Sequence, residues 1–149
     1  MPLAINASLF RALTLILPAF LLSKGIWGLF SPVVYGVLTT NRTHAIVHIL
    51  LGVAGLIARW KGAIKGYFGF LGSLLIVVAF LWLLPATRDV LSDLLNMNSA
   101  VAILNFVLGV VALAIAITAN PRRRFGSPTG RTNPPMKIAG KSGTTRPGF

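Results

Sequence analysis

The side chains able to do chemistry in this sequence are few: His44 and His48, Lys24, and the asparagines Asn41, Asn98 and Asn105. His44 and His48 are four residues apart, so on a helix they stack on one face. Imidazoles at that spacing can supply two metal ligands, an axial ligand to haem, or a general base. Each option lacks a complement. A metal site needs a third donor, and the only acids, Asp89 and Asp93, fall between apolar runs. Haem needs ligands from opposite faces of the iron, whereas both imidazoles project from one face of one helix; Asn105 stands where a second histidine is wanted. No cysteine is present, which excludes disulfides, Fe–S clusters and thiolate catalysis. Without a Ser-His-acid set, the expectation is a non-enzymatic protein with no metal, and haem or pigment binding is an alternative.

The two histidines belong to a longer pattern. Asn41, His44, His48, Gly52, Gly55 and Arg59 follow one another at intervals of three and four, one continuous stripe on a helix otherwise made of Ile, Val, Leu and Ala. Such a helix turns its polar, small edge towards protein and its oily face towards lipid. Composition agrees. Of 149 residues 55% are hydrophobic and only 11% charged, far below the usual quarter, and mean hydropathy is +0.81. A soluble core of this size could not hide so much apolar surface.

Four apolar runs each approach the ~20 residues that cross a bilayer: about Arg11 to Phe30, Thr43 to Ala58, Gly66 to Leu84 and Ser99 to Ala119. The first continues past Lys24 without a small-x-small cleavage site, so it is read as a span rather than a signal peptide. Pro18 predicts a kink in it. The expected fold class is all-α, a polytopic four-helix transmembrane bundle over residues 1–120, followed by a basic, Pro/Gly-rich, disordered tail over 121–149. The short Trp60–Lys65 connection makes spans two and three antiparallel neighbours. The Ser31–Thr40 connection gives no assignable pattern. After span three, Pro85 ends the helix and Thr87 is placed to cap a short one, with Asp89 in its first turn. Val90, Leu91, Leu94 and Leu95 share one side of it, which predicts a helix resting on the membrane surface, with continuation into span four as the alternative.

Charge sets the orientation. Eleven of the fourteen Lys and Arg fall at the N-terminus, in the second connection (Arg59, Lys61, Lys65) and in the tail; Lys24, Arg42, Arg88 and both acids fall on the other side. The positive-inside bias places both termini in the cytoplasm of a bacterial cytoplasmic or internal membrane. Trp27, Trp60, Tyr67 and Trp82 lie near span ends, where aromatic belts form. Arg122, Arg123 and Arg124, directly after span four, read as a topology determinant and as contacts for anionic lipid head groups. Nucleic acid is not expected, since no aromatic platform accompanies the charge.

The chain also echoes itself. Asn41–Leu56 laid over Asn98–Leu113, a shift of 57, matches Asn with Asn, Ala45 with Ala102, Gly52 with Gly109 and Leu56 with Leu113, and sets His48 on Asn105. This reads as a duplicated two-helix unit about an axis along the membrane normal, although spans one and three share little beyond a tryptophan. The Asn-x-x-His-x-x-x-His-x-x-x-Gly-x-x-Gly-Leu run, the Gly25–Pro32 stretch and the polar entry to span four together resemble an uncharacterised bacterial family of small four-span membrane proteins, catalogued as domain of unknown function 4383. The resemblance covers about residues 9–119 and implies fold and topology only. It departs at Val101, where a His matching His44 is expected.

Lys24, His48 and Asn105 are expected at similar depths, and a polar group in hydrocarbon must be satisfied. An intramembrane polar cluster of Lys24, Asn41, His44, His48, Asn98 and Asn105, clamping spans one, two and four, is the plain reading; a transport or channel path in an oligomer is the rival. Gly52, Gly55 and Gly109 are assigned to helix packing. The function expected is that of a structural or accessory subunit, associating with another membrane protein or with its own copies through small-residue helix faces.

Overall fold

The computed structural model describes residues 6–119. The tail, with Arg122, Arg123 and Arg124, lies outside the described residues. Five helices account for most of the described residues: α1 Ala7–Gly28, α2 Arg42–Trp60, α3 Ile64–Leu83, α4 Pro85–Leu95 and α5 Ser99–Thr118, with strands β1 Val33–Val34 and β2 Leu38–Thr39 between α1 and α2. All but α4 are long and apolar enough to cross a membrane. The fold is all-α and multi-pass.

Asparagine begins three of the four long helices. Asn6, Asn41 and Asn98 each accept a hydrogen bond from a backbone N–H of the first turn, satisfying donors that the helix itself leaves open. Asn96 ends α4 in the left-handed region, at φ 48°, a conformation that asparagine tolerates. Helix α1 runs unbroken through Pro18.

The long helices associate as two pairs, α1 along α2 and α3 along α5, with slimmer contacts between α2 and α3 and between α1 and α5. Near the termini the core is Leu17 and Leu21 of α1, Phe68, Leu71 and Leu75 of α3, and Ala112, Ile115 and Ala116 of α5. A second core fills the opposite, loop end from Val34, Leu38, Met97, Val101 and Ala102.

Both loop-end connections are ordered. Ser31–Thr40, unassigned from sequence, folds as an antiparallel hairpin pairing Val33 with Thr39 and Val34 with Leu38. Tyr35 and Gly36 turn at φ 52° and 75°, the double positive φ that suits a tight hairpin. Tyr35 then reaches along α1, stacking on Phe20 and meeting Trp27 edge-on. Helix α4 exists, but starts earlier than expected. Leu84 is its N-cap and Pro85 its first residue, because proline's missing N–H costs nothing there. Thr87 is therefore not the cap; its hydroxyl donates back to the carbonyls of Leu81 and Leu84. Asp89 falls outside the first turn. The apolar side also divides: Leu91 and Leu95 pack on the loop-end core, while Val90 and Leu94 stay exposed. Of the belt aromatics, Trp60 is 86% exposed, but Tyr67 turns inward and donates to the Leu51 carbonyl at 2.6 Å.

The repeat is visible in what is buried. Residues Thr14, Leu17, Pro18, Leu21 and Gly25 of α1 recur 54 positions later as Phe68, Leu71, Gly72, Leu75 and Ala79 of α3, buried in both. His44, Ala45, His48, Gly52 and Gly55 of α2 recur 57 positions later as Val101, Ala102, Asn105, Gly109 and Ala112 of α5, again buried in both. The change from 54 to 57 is three extra residues in the second connection, where a helix stands in for the hairpin. Spans one and three therefore do correspond, by burial rather than by residue identity.

Glycine makes both crossings close. A Cβ on Gly52 would lie 2.7 Å from the Leu22 nitrogen and 2.8 Å from the Pro18 oxygen; on Gly109, 3.0 Å from the Gly72 oxygen. Gly55 leaves room for the Tyr67 ring. Gly66, by contrast, has nothing within 4 Å. Gly52→Ala and Gly109→Ala are thus expected to destabilise by ~1–3 kcal/mol, and Gly66→Ala to be neutral or stabilising by a few tenths, up to ~1 kcal/mol. Unfolding of the purified protein in mixed detergent and SDS measures the difference.

Candidate functional site

Helix α1 brings Lys24 to the α1–α2 seam. Gly25 and Gly28 beside it let α1 close on Ala45, Ile49 and Thr40, so the lysine stem is enclosed and the residue is 1% exposed. The Asn41 cap fixes the first turn of α2 and with it His44; His48 follows one turn deeper, also buried.

Lys24 and His48 meet side chain to side chain, while each imidazole is fixed by a main-chain carbonyl. His44 Nδ1 lies 2.8 Å from the Leu95 carbonyl and His48 Nδ1 lies 2.9 Å from the His44 carbonyl. A carbonyl only accepts, so both Nδ1 atoms carry the hydrogen. A neutral His48 ring then presents its Nε2 lone pair to Lys24 Nζ, 3.3 Å away. The two imidazoles are 4.5 Å apart, centroid to centroid. No carboxylate answers the lysine: Asp89 and Asp93, the only acids, are exposed on α4. A buried ammonium with one acceptor is costly to desolvate. The close α1–α2 packing holds it there.

Asn105 stays outside these bonds. It is 3% exposed and its Oδ1 has no hydrogen-bond partner among the described residues. The repeat supplies the reason. Asn105 holds the place of His48, but Val78 holds the place of Lys24 and Val101 that of His44, so the second half offers Asn105 no polar neighbour in the equivalent positions.

Asn41 and Asn98 work at the helix starts instead. Each Oδ1 accepts from the backbone three residues on, His44 and Val101, at 2.9 Å. Each Nδ2 crosses to the other half: Asn41 donates to the Leu94 carbonyl and Asn98 to the Val37 carbonyl, both at 2.8 Å. Val37 and Leu94 are themselves 57 apart. Between them, Thr39 donates to the Asn96 carbonyl at 2.6 Å and Asn96 returns a bond to the Thr40 carbonyl at 2.9 Å.

Sequence reading missed the acceptors at Leu94, Leu95 and Val37, because any residue supplies a carbonyl and side-chain type carries no signal for it. It also missed a second polar contact near the termini, where Arg59 donates to the Arg11 carbonyl at 3.0 Å and to the Thr14 hydroxyl. The three-residue Arg11–Thr14 spacing opposite Arg59 was the available hint.

Two concavities lie elsewhere. A cleft of about 350 Å³ at the loop end is lined by Gly28 to Pro32, Thr40, Asn41, Arg42 and Asn96. An apolar groove of about 400 Å³ runs between α3 and α5. Neither is lined by Lys24, His44 or His48. Among the described residues no three His, Cys, Asp or Glu side chains converge.

Apolar spans in two related pairs, with a buried Lys24–His48 contact inside the first pair and a His44–Leu95 bond across to the second half, define a small multi-pass membrane protein. The chain belongs to the family described as Domain of unknown function (DUF4383), whose model matches residues 11–118. No curated protein matches it, and no solved structure does.

If the Lys24–His48 contact is structural, His48→Leu strands a buried ammonium and should cost ~3–5 kcal/mol. The double change Lys24→Met with His48→Leu should recover at least ~2 kcal/mol of that loss, since removing both partners leaves nothing unpaired. Asn105→Leu should be neutral or stabilising. Unfolding free energies for the four proteins test this, and equal values for the single and double changes would refute it.

Proposed function

We propose that this is a non-enzymatic integral membrane protein acting as a structural or accessory subunit. The observation carrying this reading is that Lys24 bonds to His48 between α1 and α2 and that both histidines bond to the chain's own carbonyls. Bonds of that kind hold helices in register, and each adds ~0.6 kcal/mol on average. A transport path would instead need polar groups facing an aqueous opening.

Gly52, Gly55 and Gly109 lie at crossings within the chain. A partner is therefore met by the small residues still exposed on the flanks, Ala19 of α1 and Gly66 and Ser73 of α3. That partner is another membrane protein or a second copy of this chain. Orientation follows the charge: Arg11, Arg59, Lys61 and Lys65 mark the terminal end as cytoplasmic, in a bacterial cytoplasmic or internal membrane. The basic run Arg122–Arg124 then meets anionic lipid head groups on that side.

Extracted from its own membranes in mild detergent, the protein should elute in a stable assembly larger than one protomer. Ser73→Phe should weaken that assembly while leaving the protomer's thermal unfolding unchanged. A protomer that stays alone and carries a solute into proteoliposomes would replace this reading with the transporter.

A further inference from the structure

The two halves share a frame but close differently towards the loop end. On the first pair, Gly25 and Gly28 bring α1 against α2 with no space left: a Cβ at either would stand 2.7–2.9 Å from Ala45, Ile49 or Thr40. The positions 54 residues later are Ala79 and Trp82. A methyl and an indole thus stand in place of two hydrogens. Both line the 400 Å³ groove, with Ala79, Phe80, Trp82 and Leu83 on one wall and Ser99, Ala102, Ile103 and Phe106 on the other. Phe80 and Phe106 meet edge-on at its deep end, 6.0 Å between centroids. From Ser99 to Phe106 the groove descends roughly 10 Å, at 1.5 Å per residue.

A cation rests against Trp82, one of its wall residues. Arg88 of α4 lies 4.7 Å above the Trp82 ring and its Nε donates to the Trp82 carbonyl at 3.2 Å. Trp82 thus carries both the groove wall and the guanidinium. Asp89 and Asp93 share that helix, yet neither pairs with Arg88 among the described residues, so its terminal amino groups remain for an anion. A guanidinium is well matched to phosphate oxygens, and an apolar slot running inward from it is matched to a hydrocarbon chain.

We infer that the α3–α5 groove is a resident phospholipid site, with one acyl chain lying between Trp82 and Phe106 and the phosphate held by Arg88. The site depends on the helices lying in a bilayer, but not on the accessory role proposed above. In the first half Gly25 and Gly28 fill the equivalent stretch of the seam, and the opening there is the more polar loop-end cleft lined by Gly28 to Pro32, Thr40, Asn41, Arg42 and Asn96.

The repeat provides an internal control. Trp27→Phe with Trp60→Phe leaves Trp82 as the only tryptophan; Trp60→Phe with Trp82→Phe leaves Trp27, near the same depth beside the Gly25 and Gly28 stretch of the first seam. Both full-length proteins are delipidated in detergent and titrated with phosphatidylglycerol brominated along its acyl chains, a contact quencher of indole fluorescence. Trp82 should be quenched saturably at low lipid-to-protein ratio, while Trp27 should follow bulk lipid content linearly. Arg88→Gln, or brominated diacylglycerol as the probe, should raise the half-saturating concentration about fivefold, as loss of ~1 kcal/mol of charge attraction requires. Arg88→Lys should retain most of the binding and so show that the helix end is intact. Linear quenching of Trp82, or saturation indifferent to both Arg88→Gln and loss of the phosphate, would overturn the assignment.

Discussion

Hydrocarbon supplies no hydrogen bonds, so a polar atom entering this bundle is costly unless another part of the chain answers it, as happens at Lys24, His44 and His48 but not at Asn105 Oδ1 or Trp82 Nε1. That constraint accounts for more of the architecture than the apolar residues do. Apolar side chains would tolerate many helix arrangements, since lipid is as apolar as a leucine. The lysine at position 24 tolerates few. It lies where α1 comes close enough to α2 for His48 to reach it, and that approach exists because Gly25, Gly28 and Gly52 remove the side chains that would hold the helices apart. His48 is oriented by the His44 carbonyl, and His44 by the end of α4. The series starts deep in one seam and finishes on a connection contributed by the other half.

Much of this was readable in advance, and for a consistent reason. The stripe from Asn41 to Arg59 is a periodic pattern of side-chain types, and burial follows it: His44, His48, Gly52 and Gly55 all face protein. The four long helices follow from apolar run length, and the shift of 57 from identical residues at matching places. What stayed illegible depended on backbone conformation or on a neighbour's backbone. The Tyr35–Gly36 turn is set by positive φ in a stretch of β-branched residues with little signal. The start of α4 is set by Pro85 as a first residue rather than by Thr87 as a cap, and both choices are compatible with the same letters. Asn105 is the instructive miss. It is buried, but α3 carries valine where α1 carries lysine.

The correspondence between halves also shows how duplicated helices diverge. The register of buried positions is kept from α1 to α3 and from α2 to α5, because shifting it would bring polar or bulky residues to the crossings. Identity at those positions is free to change when both partners change together. Lys24 with His48 becomes Val78 with Asn105, one a bonded pair and the other leaving an oxygen unanswered. Gly25 and Gly28 become Ala79 and Trp82, both of which line the α3–α5 groove. The frame is conserved between halves, and the chemistry is not.

The crossed caps have a consequence for how the chain holds together. Asn41 begins one half's second helix but ties its amide to Leu94 in the other half, and Asn98 does the reverse with Val37. Each pair of helices thus lacks a piece of its own lid and borrows it from its twin. Severing the Lys61–Gly62 turn would leave two fragments, each carrying the closure the other needs. Such fragments, made separately in one membrane, have a built-in means of finding each other, and neither would be complete without the exchange.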